Sequence, residues 1–194
     1  MKETIPVASC EALVQLKTAL RKNRRDAHHR YFQIATVTPE GQPKNRTVVF
    51  RGFGADDTSL LVITDSRSEK IVELEQNASA EIAWYFTRTR EQFRISALTT
   101  CVDFRCHSME DSALRDQVWQ QLSEAARAQF FWPGPGLPLD TGTTAAVTDA
   151  APDTFALLKL SPVAIDHLVL SKVQTRRRSP VSYTHLTLPT IYSV

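Results

Sequence analysis

Apolar and polar positions change period several times along the chain. Leu13, Leu16 and Leu20 recur at helical spacing and predict an amphipathic helix over Ser9–Arg25, with Ser9 placed to cap its start. The basic stretch Arg21–Arg30 closes that helix, where cations favour the dipole, and reads as a solvated end. Alternation takes over next. Tyr31–Thr38 is β-rich, Pro39-Glu40-Gly41-Gln42 is a turn signal and Thr47–Phe50 is a second β run, so a hairpin is expected. Leu60–Thr64 predicts a short apolar strand, and Ser66–Gln76 a helix with Ile71 and Leu74 on one face and Ser66 or Ser68 as cap.

Ala80–Phe86 and Gln92–Phe104 predict two more strands, and Asp111–Phe131 a second long helix with Leu114, Val118 and Leu122 on one stripe. Trp132-Pro133-Gly134-Pro135-Gly136 breaks that helix. Thr141–Thr154 carries no periodic signal and predicts a mobile loop. Phe155–Leu160 and Val163–Leu170 read as strands on either side of Ser161-Pro162. Six or seven strands with short connections and few helices predict a mainly β fold with flanking helices, a closed barrel rather than a parallel sheet. No GxGxxG or GxxxxGK[ST] element is present, which removes the two commonest nucleotide-binding signatures.

Composition narrows the picture. The 194 residues suit one domain, and 42% hydrophobic with 23% charged residues is the balance of a globular protein. A net charge of +2 argues against a dedicated nucleic-acid binder, and leaves Arg21–Arg30 a poor basis for that function. No apolar run is long enough for a membrane span, and Met1–Cys10 lacks the features of a signal peptide, so no membrane partner is expected. Cys10, Cys101 and Cys106 form no disulfide pattern, which makes a reducing cytoplasm the simplest compartment. Cys101, Cys106 and His107 lie close together but have no evident fourth ligand, so no metal site is expected.

The domain is expected to span residues 1–180. Val181–Thr190 reads VSYTHLTLPT, which back-translates into one frame of a transposase adapter used in sequencing-library preparation. Residues 181–194 are accordingly expected to be a non-native tail, with no functional role for His185 or Tyr192.

Three segments carry candidate chemistry. Arg46–Arg51 is a strand with cations at both ends, Ile63–Lys70 runs from a strand end into a helix start, and Gln92 precedes a strand. A helix start offers unpaired N–H groups and positive dipole density to a phosphate. Thr64, Ser66 and Ser68 add hydroxyl donors, and Arg46, Arg67 and Lys70 add charge. Taken alone, each piece is weak: Arg or Lys on a strand is more often a solvated edge residue, and Ser-Arg-Ser is more often only a helix cap.

Read together, the lines RYFQIATVTPEGQPKNRTVVFRGF, LLVITDSRSEKIVELEQNASAEIAWYF and EQFRISA resemble the pyridoxamine 5'-phosphate oxidase family of FMN-binding split β-barrels, and its oxidase-like FMN-binding branch in particular. The resemblance covers about Arg30 to Ala97. It implies a homodimer with FMN lying between the subunits. It implies that Arg46 and the strand through Val48, Val49 and Arg51 contact the cofactor, and that Ile63 and Thr64 stand where the family has an aromatic-Thr pair. The family's Ser-Arg-Lys triplet maps to Ser68, Glu69 and Lys70; Glu69 departs from it, and Arg67 stands nearby to supply the missing cation. Arg46, Arg67, Ser68 and Lys70 would then hold the FMN phosphate, with Thr64, Gln92 and the backbone around Val49 at the ring and ribityl chain. Trp84, Tyr85 and Phe53 are candidates for dimer or flavin contacts and equally for barrel core.

The substrate side matches less well. Arg51 stands where the oxidases have Lys, and Trp119, Ser123 and Arg127 stand on the helix that would grip a substrate phosphate. The family's C-terminal Arg-x-His pair has no clear counterpart, with Arg176-Arg177-Arg178 approximating its first part. The resemblance implies an oxidoreductase that transfers hydride from a small phosphorylated substrate to flavin N5, with dioxygen as acceptor. A flavin reductase-like protein and a flavin-binding module without turnover remain the alternatives, and no catalytic base is identified.

Overall fold

The computed structural model describes residues 11–138, 148–170 and 175–181. Helix α1 (Glu11–Lys22) precedes strands β1 (Tyr31–Val37), β2 (Pro43–Phe53) and β3 (Leu60–Asp65). Helix α2 (Glu69–Gln76) leads into β4 (Ser79–Phe86) and β5 (Glu91–Val102). Helices α3 (Met109–Gln120) and α4 (Glu124–Ala128) follow, with one 3₁₀ turn (Gln129–Phe131), then β6 (Phe155–Val169) and β7 (Thr175–Pro180). All pairings are antiparallel, in the order β3-β2-β1-β4-β5-β6, and β3 pairs again with β6. That last pairing closes a six-stranded barrel, and β7 extends the far end of β6.

The barrel interior takes one face of every strand. Phe32 and Ile34, Val48 and Phe50, Ile82, Trp84 and Phe86, and Phe93 and Ile95 are all buried there, and α1 adds Leu13, Leu16 and Ala19. Trp84 belongs to this core: its ring packs against Phe32, Phe50 and Phe86 and its Nε1 donates to the His29 carbonyl at 3.0 Å. Tyr85 points the other way and is exposed, as strand alternation requires. Phe53 packs at the edge of the core. A second core lies outside the barrel, where Val118, Trp119, Leu122 and Phe130 cover Leu61, Phe155 and Leu157. Strand β6 serves both, with Ala156, Leu158 and Leu160 facing inward and Phe155 and Leu157 outward. Its run FALLKL is apolar without alternation for that reason.

Several elements differ from their sequence expectation. The helix expected over Asp111–Phe131 is broken after Gln120, because the Ser123 hydroxyl accepts from the Ala126 N–H and starts a new helix. The two strands expected around Ser161-Pro162 are one. Pro162 falls where the β3 pairing has ended at Leu160 and the β7 pairing has not begun, and a bulge at Val163 absorbs the irregularity. Strand β2 extends well past Thr47–Phe50 at both ends, since Pro43–Arg46 pairs with β1 on an exposed polar edge that no apolar pattern marks. Strand β7 is similarly polar and similarly unmarked.

Helix α1 ends at Lys22, three residues before the expected Arg25, and its expected cap Ser9 lies outside the described residues. Within the loop expected over Thr141–Thr154, residues 148–154 are pinned: Arg115 donates to the Pro152 carbonyl at 2.7 Å, and Ser66 N donates to the Thr154 carbonyl at 2.8 Å. Val181 is buried and donates its N–H to the Val163 carbonyl at 2.8 Å, while the rest of the expected tail lies outside the described residues. No helix among the described residues is long and apolar enough to cross a membrane. Cys101 is half-buried, and burial, with Asp103 adding to it, pushes its thiol up to about 11, so the thiolate is scarce at neutral pH.

Candidate functional site

The end of β3 turns sharply into α2 beside the middle of β2. Arg46, Thr47, Val48, Val49 and Arg51 from β2 therefore face Ile63 and Thr64 from β3 and Lys70 from the first turn of α2. Together they line a cleft of about 400 Å³, within the roughly 300–1,000 Å³ typical of small-molecule sites. Its far wall comes from the segment after α4, chiefly Gln129, Phe130, Trp132 and Pro133. That wall was missed by sequence reasoning, where the Trp-Pro-Gly-Pro-Gly run registered only as a helix breaker.

The cleft is cationic. Lys70 Nζ donates to Thr64 Oγ1 at 2.8 Å and to Ser68 Oγ at 3.0 Å. Burial, followed by the nearby charge of Arg46, lowers the Lys70 ammonium below its ordinary value. Ser68 occupies the N-cap position of α2, yet its hydroxyl makes no cap bond; it accepts from Lys70 and donates to the Asp65 carbonyl at 2.7 Å. Arg51 is the extra residue of a β-bulge between Phe50 and Gly52, opposite Val62 and Leu61. Its Nε is buried and has no hydrogen-bond partner among the described residues. Burial, then the charge of Arg30, lowers its guanidinium below the ordinary value.

Arg46 is held differently. Its Nη2 donates to Glu73 Oε2 at 2.9 Å, and its Nη1 bonds Thr36 Oγ1, which in turn bonds Glu73 Oε2. Glu73 and Thr36 are both buried. Burial alone would raise the Glu73 carboxyl, but the hydrogen bonds from Thr36 and Arg46 and the Arg46 charge outweigh it and hold it below the ordinary value.

The other expected residues are placed as follows. Arg67 turns away from the cleft to Asp65, at 2.6 Å, and donates to the Trp132 carbonyl at 3.0 Å. It thus ties the helix start to the far wall, and its bond to Asp65 raises its guanidinium above the ordinary value. Gln92 sits on β5 opposite Tyr85, half-buried and away from the cleft of its own chain. The expected substrate trio is not brought to the cleft. Trp119 is fully buried in the outer core, Ser123 caps α4, and Arg127 lies over the Trp119 ring and donates to the Trp119 and Gln120 carbonyls. Of the four expected substrate residues, Arg51 alone lines it.

A second cleft of about 450 Å³ lies between α1 and the β6–β7 end, lined by Glu11, His167, Arg176 and Arg177 among others. Its cations are already matched, Arg176 by Asp166 and Arg177 by Glu11. The β2–β3–α2 cleft differs in offering Lys70 supported only by hydroxyls and Arg51 with an orphaned N–H. Those donors, with the hydroxyl of Thr64, fit an anionic, phosphate-bearing group such as FMN.

A closed antiparallel barrel with a cationic cleft at a strand-to-helix turn defines a split-barrel protein. The chain belongs to the family described as pyridoxamine 5'-phosphate oxidase, FMN-binding domain, whose profile matches residues 12–122. It is 34% identical over 161 residues to pyridoxine/pyridoxamine 5'-phosphate oxidase 2 of Arabidopsis thaliana, covering 80% of this chain and 81% of that protein. Among solved structures it resembles a pyridoxamine 5'-phosphate oxidase-related, FMN binding protein from Nostoc punctiforme, with a TM-score of 0.78 and 42% identity over 84% of this chain and 86% of the other. PhzG from Burkholderia lata shares the fold at 20% identity, with a TM-score of 0.68, covering 92% of this chain and 91% of the other.

Proposed function

We propose that this protein binds FMN in the β2–β3–α2 cleft and acts as an FMN-dependent oxidoreductase on a small phosphorylated substrate. The observation that carries the reading is the convergence of Arg46, Arg51 and Lys70 on one cleft, with the Arg51 Nε buried and unpartnered. When bound, FMN would supply a two-electron acceptor: an alcohol would lose hydride and its hydroxyl proton to give the aldehyde, an amine would give the imine that water hydrolyses to aldehyde and ammonia, and dioxygen would take up the two electrons and two protons as hydrogen peroxide. The chain's own part is to bind and orient. Arg46 and Lys70 hold the cofactor phosphate, with Thr64 and Ser68 fixing the Lys70 ammonium between them. The β2 backbone at Val48 and Val49 faces the cleft and addresses the flavin. Arg51, which lines the cleft, offers its charge to the anionic group of the substrate, and Phe130 and Trp132 exclude water from the far side.

The protein acts as a homodimer on this reading. Gln92 and Tyr85 are cross-strand neighbours on the outer barrel face, remote from their own cleft, and a second copy is what would bring Gln92 to a flavin. Tyr31 and Tyr85 are exposed aromatics suited to such an interface.

A second reading is a flavin-binding module without turnover. It is favoured by the far wall, which lacks the expected substrate trio, and by the cleft's one lining carboxylate, Asp65, being engaged by Arg67. The test of both is direct. Purified protein is titrated with FMN, and its flavin absorbance and sedimentation mass are recorded. The loaded protein is then assayed for pyridoxal 5'-phosphate formation from pyridoxine 5'-phosphate. A protein that takes up no FMN rejects the cofactor assignment. Full loading without product, on this and the amine substrate, rejects oxidation of these two phosphorylated substrates and leaves FMN binding standing.

A further inference from the structure

The two cations assigned to the cofactor phosphate come from different elements. Arg46 lies on β2 and Lys70 on α2; Lys70 is tied to Thr64 of β3, but the β2–β3 pairing begins at Phe50 and does not reach Arg46. Their like charges repel, which is one of the causes that lowers Lys70. Glu73 is on the same helix as Lys70, three residues on, and therefore on the same face about one turn away. Its carboxylate accepts from Arg46 Nη2 at 2.9 Å and from Thr36 of β1, while Arg46 also bonds Thr36. Thr36 pairs with Lys44, so Arg46 is its diagonal neighbour across the hairpin, and the three side chains join β1, β2 and α2 in one closed triangle.

The guanidinium has five N–H donors. Glu73 and Thr36 engage one each, and the Lys44 carbonyl takes a weak third at 3.5 Å, so two remain. A buried carboxylate, its side chain only 4% exposed, is a demanding group to keep beside an anion-binding site, because its charge opposes that of the ligand. Its place is understandable if its task is geometric: it locks the Arg46 fork and sets the distance from Arg46 to Lys70.

Resting on the FMN assignment above, we propose that Glu73, with Thr36 as its bridge, is the positioning residue of the phosphate clamp: it fixes Arg46 relative to Lys70 and so determines selectivity for the phosphorylated flavin over the unphosphorylated one. Glu73 touches neither cofactor nor substrate in this arrangement. Electrostatics and positioning predict opposite signs. Removing a carboxylate near a dianion should tighten its binding if charge alone matters, and weaken it if the carboxylate aligns the donors.

The experiment is a pair of equilibrium titrations, FMN and riboflavin, monitored by quenching of flavin fluorescence on the full-length protein and on Glu73→Gln, Glu73→Asp and Thr36→Val. Riboflavin lacks the phosphate and so reports ring binding and general integrity. The expected result is that Glu73→Gln loses about tenfold in FMN affinity, the scale of one charge-assisted hydrogen bond, with riboflavin affinity unchanged. Glu73→Asp should recover part of the lost selectivity, and Thr36→Val should lose selectivity in the same direction but less. An unchanged or increased FMN-to-riboflavin ratio in Glu73→Gln overturns the proposal. If Glu73→Gln fails to fold, Thr36→Val decides, and an unchanged ratio there overturns it equally. A wild-type protein that binds both flavins alike removes the phosphate clamp itself and the proposal with it. A wild-type preference for FMN that survives both substitutions leaves the clamp standing and removes only the role of Glu73.

Discussion

Lys70 Nζ and Thr64 Oγ1 lie 2.8 Å apart across the turn from β3 into α2, and no carboxylate among the described residues lies within ion-pair distance of that ammonium. A half-buried cation whose hydrogen bonds run only to hydroxyls is poised to gain from an anion. Lys70→Ala is expected to weaken FMN binding by about 1.5–3 kcal/mol, the range of a hydrogen bond to a charged group, and to leave riboflavin binding intact. Combined with Arg46→Ala the loss should be severe. Calorimetric or fluorescence titration measures both, and an unchanged FMN affinity in the double variant would show that the phosphate lies elsewhere.

Arg67 makes the contrasting case. Its guanidinium is occupied by Asp65 and the Trp132 carbonyl. Arg67→Ala should therefore change FMN affinity by no more than about 1 kcal/mol, as for exposed ion pairs, while loosening the far wall. Faster proteolytic nicking in residues 132–138, with cofactor affinity preserved, is the expected pattern.

Arg51 should show opposed effects on stability and on ligand binding. Its Nε is buried without a hydrogen-bond partner among the described residues, and Arg30 repels it. Arg51→Met keeps much of the volume and removes both penalties, so the melting temperature is expected to rise. Saturation by an anionic substrate should shift to higher concentration in the same variant. A fall in Tm would mean that the guanidinium contributes to folding through contacts other than those described.

Trp119 was expected to meet substrate and instead fills the outer core, packed on Phe130 and Phe155. Trp119→Ala should cost about 3–5 kcal/mol of stability, the scale of a large aromatic truncation. Denaturant unfolding measures this. Residual folded protein should retain the substrate KM, whereas a direct substrate contact would raise it.

Acid sensitivity follows from two carboxylates held below their ordinary range. Glu73 has the Thr36 and Arg46 partners already described, and Asp103, despite burial, is lowered by hydrogen bonds from the Arg105 side chain and backbone and by the Arg105 charge. A depressed native value means the folded state binds fewer protons than the unfolded one, so stability is present above the unfolded value, near pH 4, and is lost as pH falls through the native value. Thermal melts between about pH 5 and about 2.5 should show this limb, and Asp103→Asn should flatten it.

The barrel was legible in the sequence where one face of a strand is buried and the other wet. Tyr31–Thr38 and Ala80–Phe86 alternate as their strands do. Legibility failed where the signal is not apolar. Pro43–Arg46 and Thr175–Pro180 are strands held by backbone pairing and polar side-chain bonds, on exposed or polar edges without an apolar face. It also failed at Ser123, where a single hydroxyl restarts the helix inside an otherwise helical pattern. For the site, Arg46, Val48, Val49, Arg51, Ile63, Thr64 and Lys70 were named and do line one cleft, and Ser68 supports it from behind. Glu73 and Thr36 were not named, because a Glu in a helix and a Thr in a strand carry no mark of the partner that distant segments bring to them.

Strand β6 has a consequence for how this molecule comes apart. Phe155 and Leu157 hold the layer that includes Phe130, a wall of the cleft, and the intervening residues Ala156 and Leu158 hold the barrel interior. A segment wetted on neither side, as Phe155–Leu158 is, cannot release one layer without exposing the other. The cleft wall and the barrel are therefore one cooperative unit, and the amide protons of Phe155–Leu158 should exchange only by global opening, at a rate that bound cofactor slows for the whole chain and not for the cleft alone.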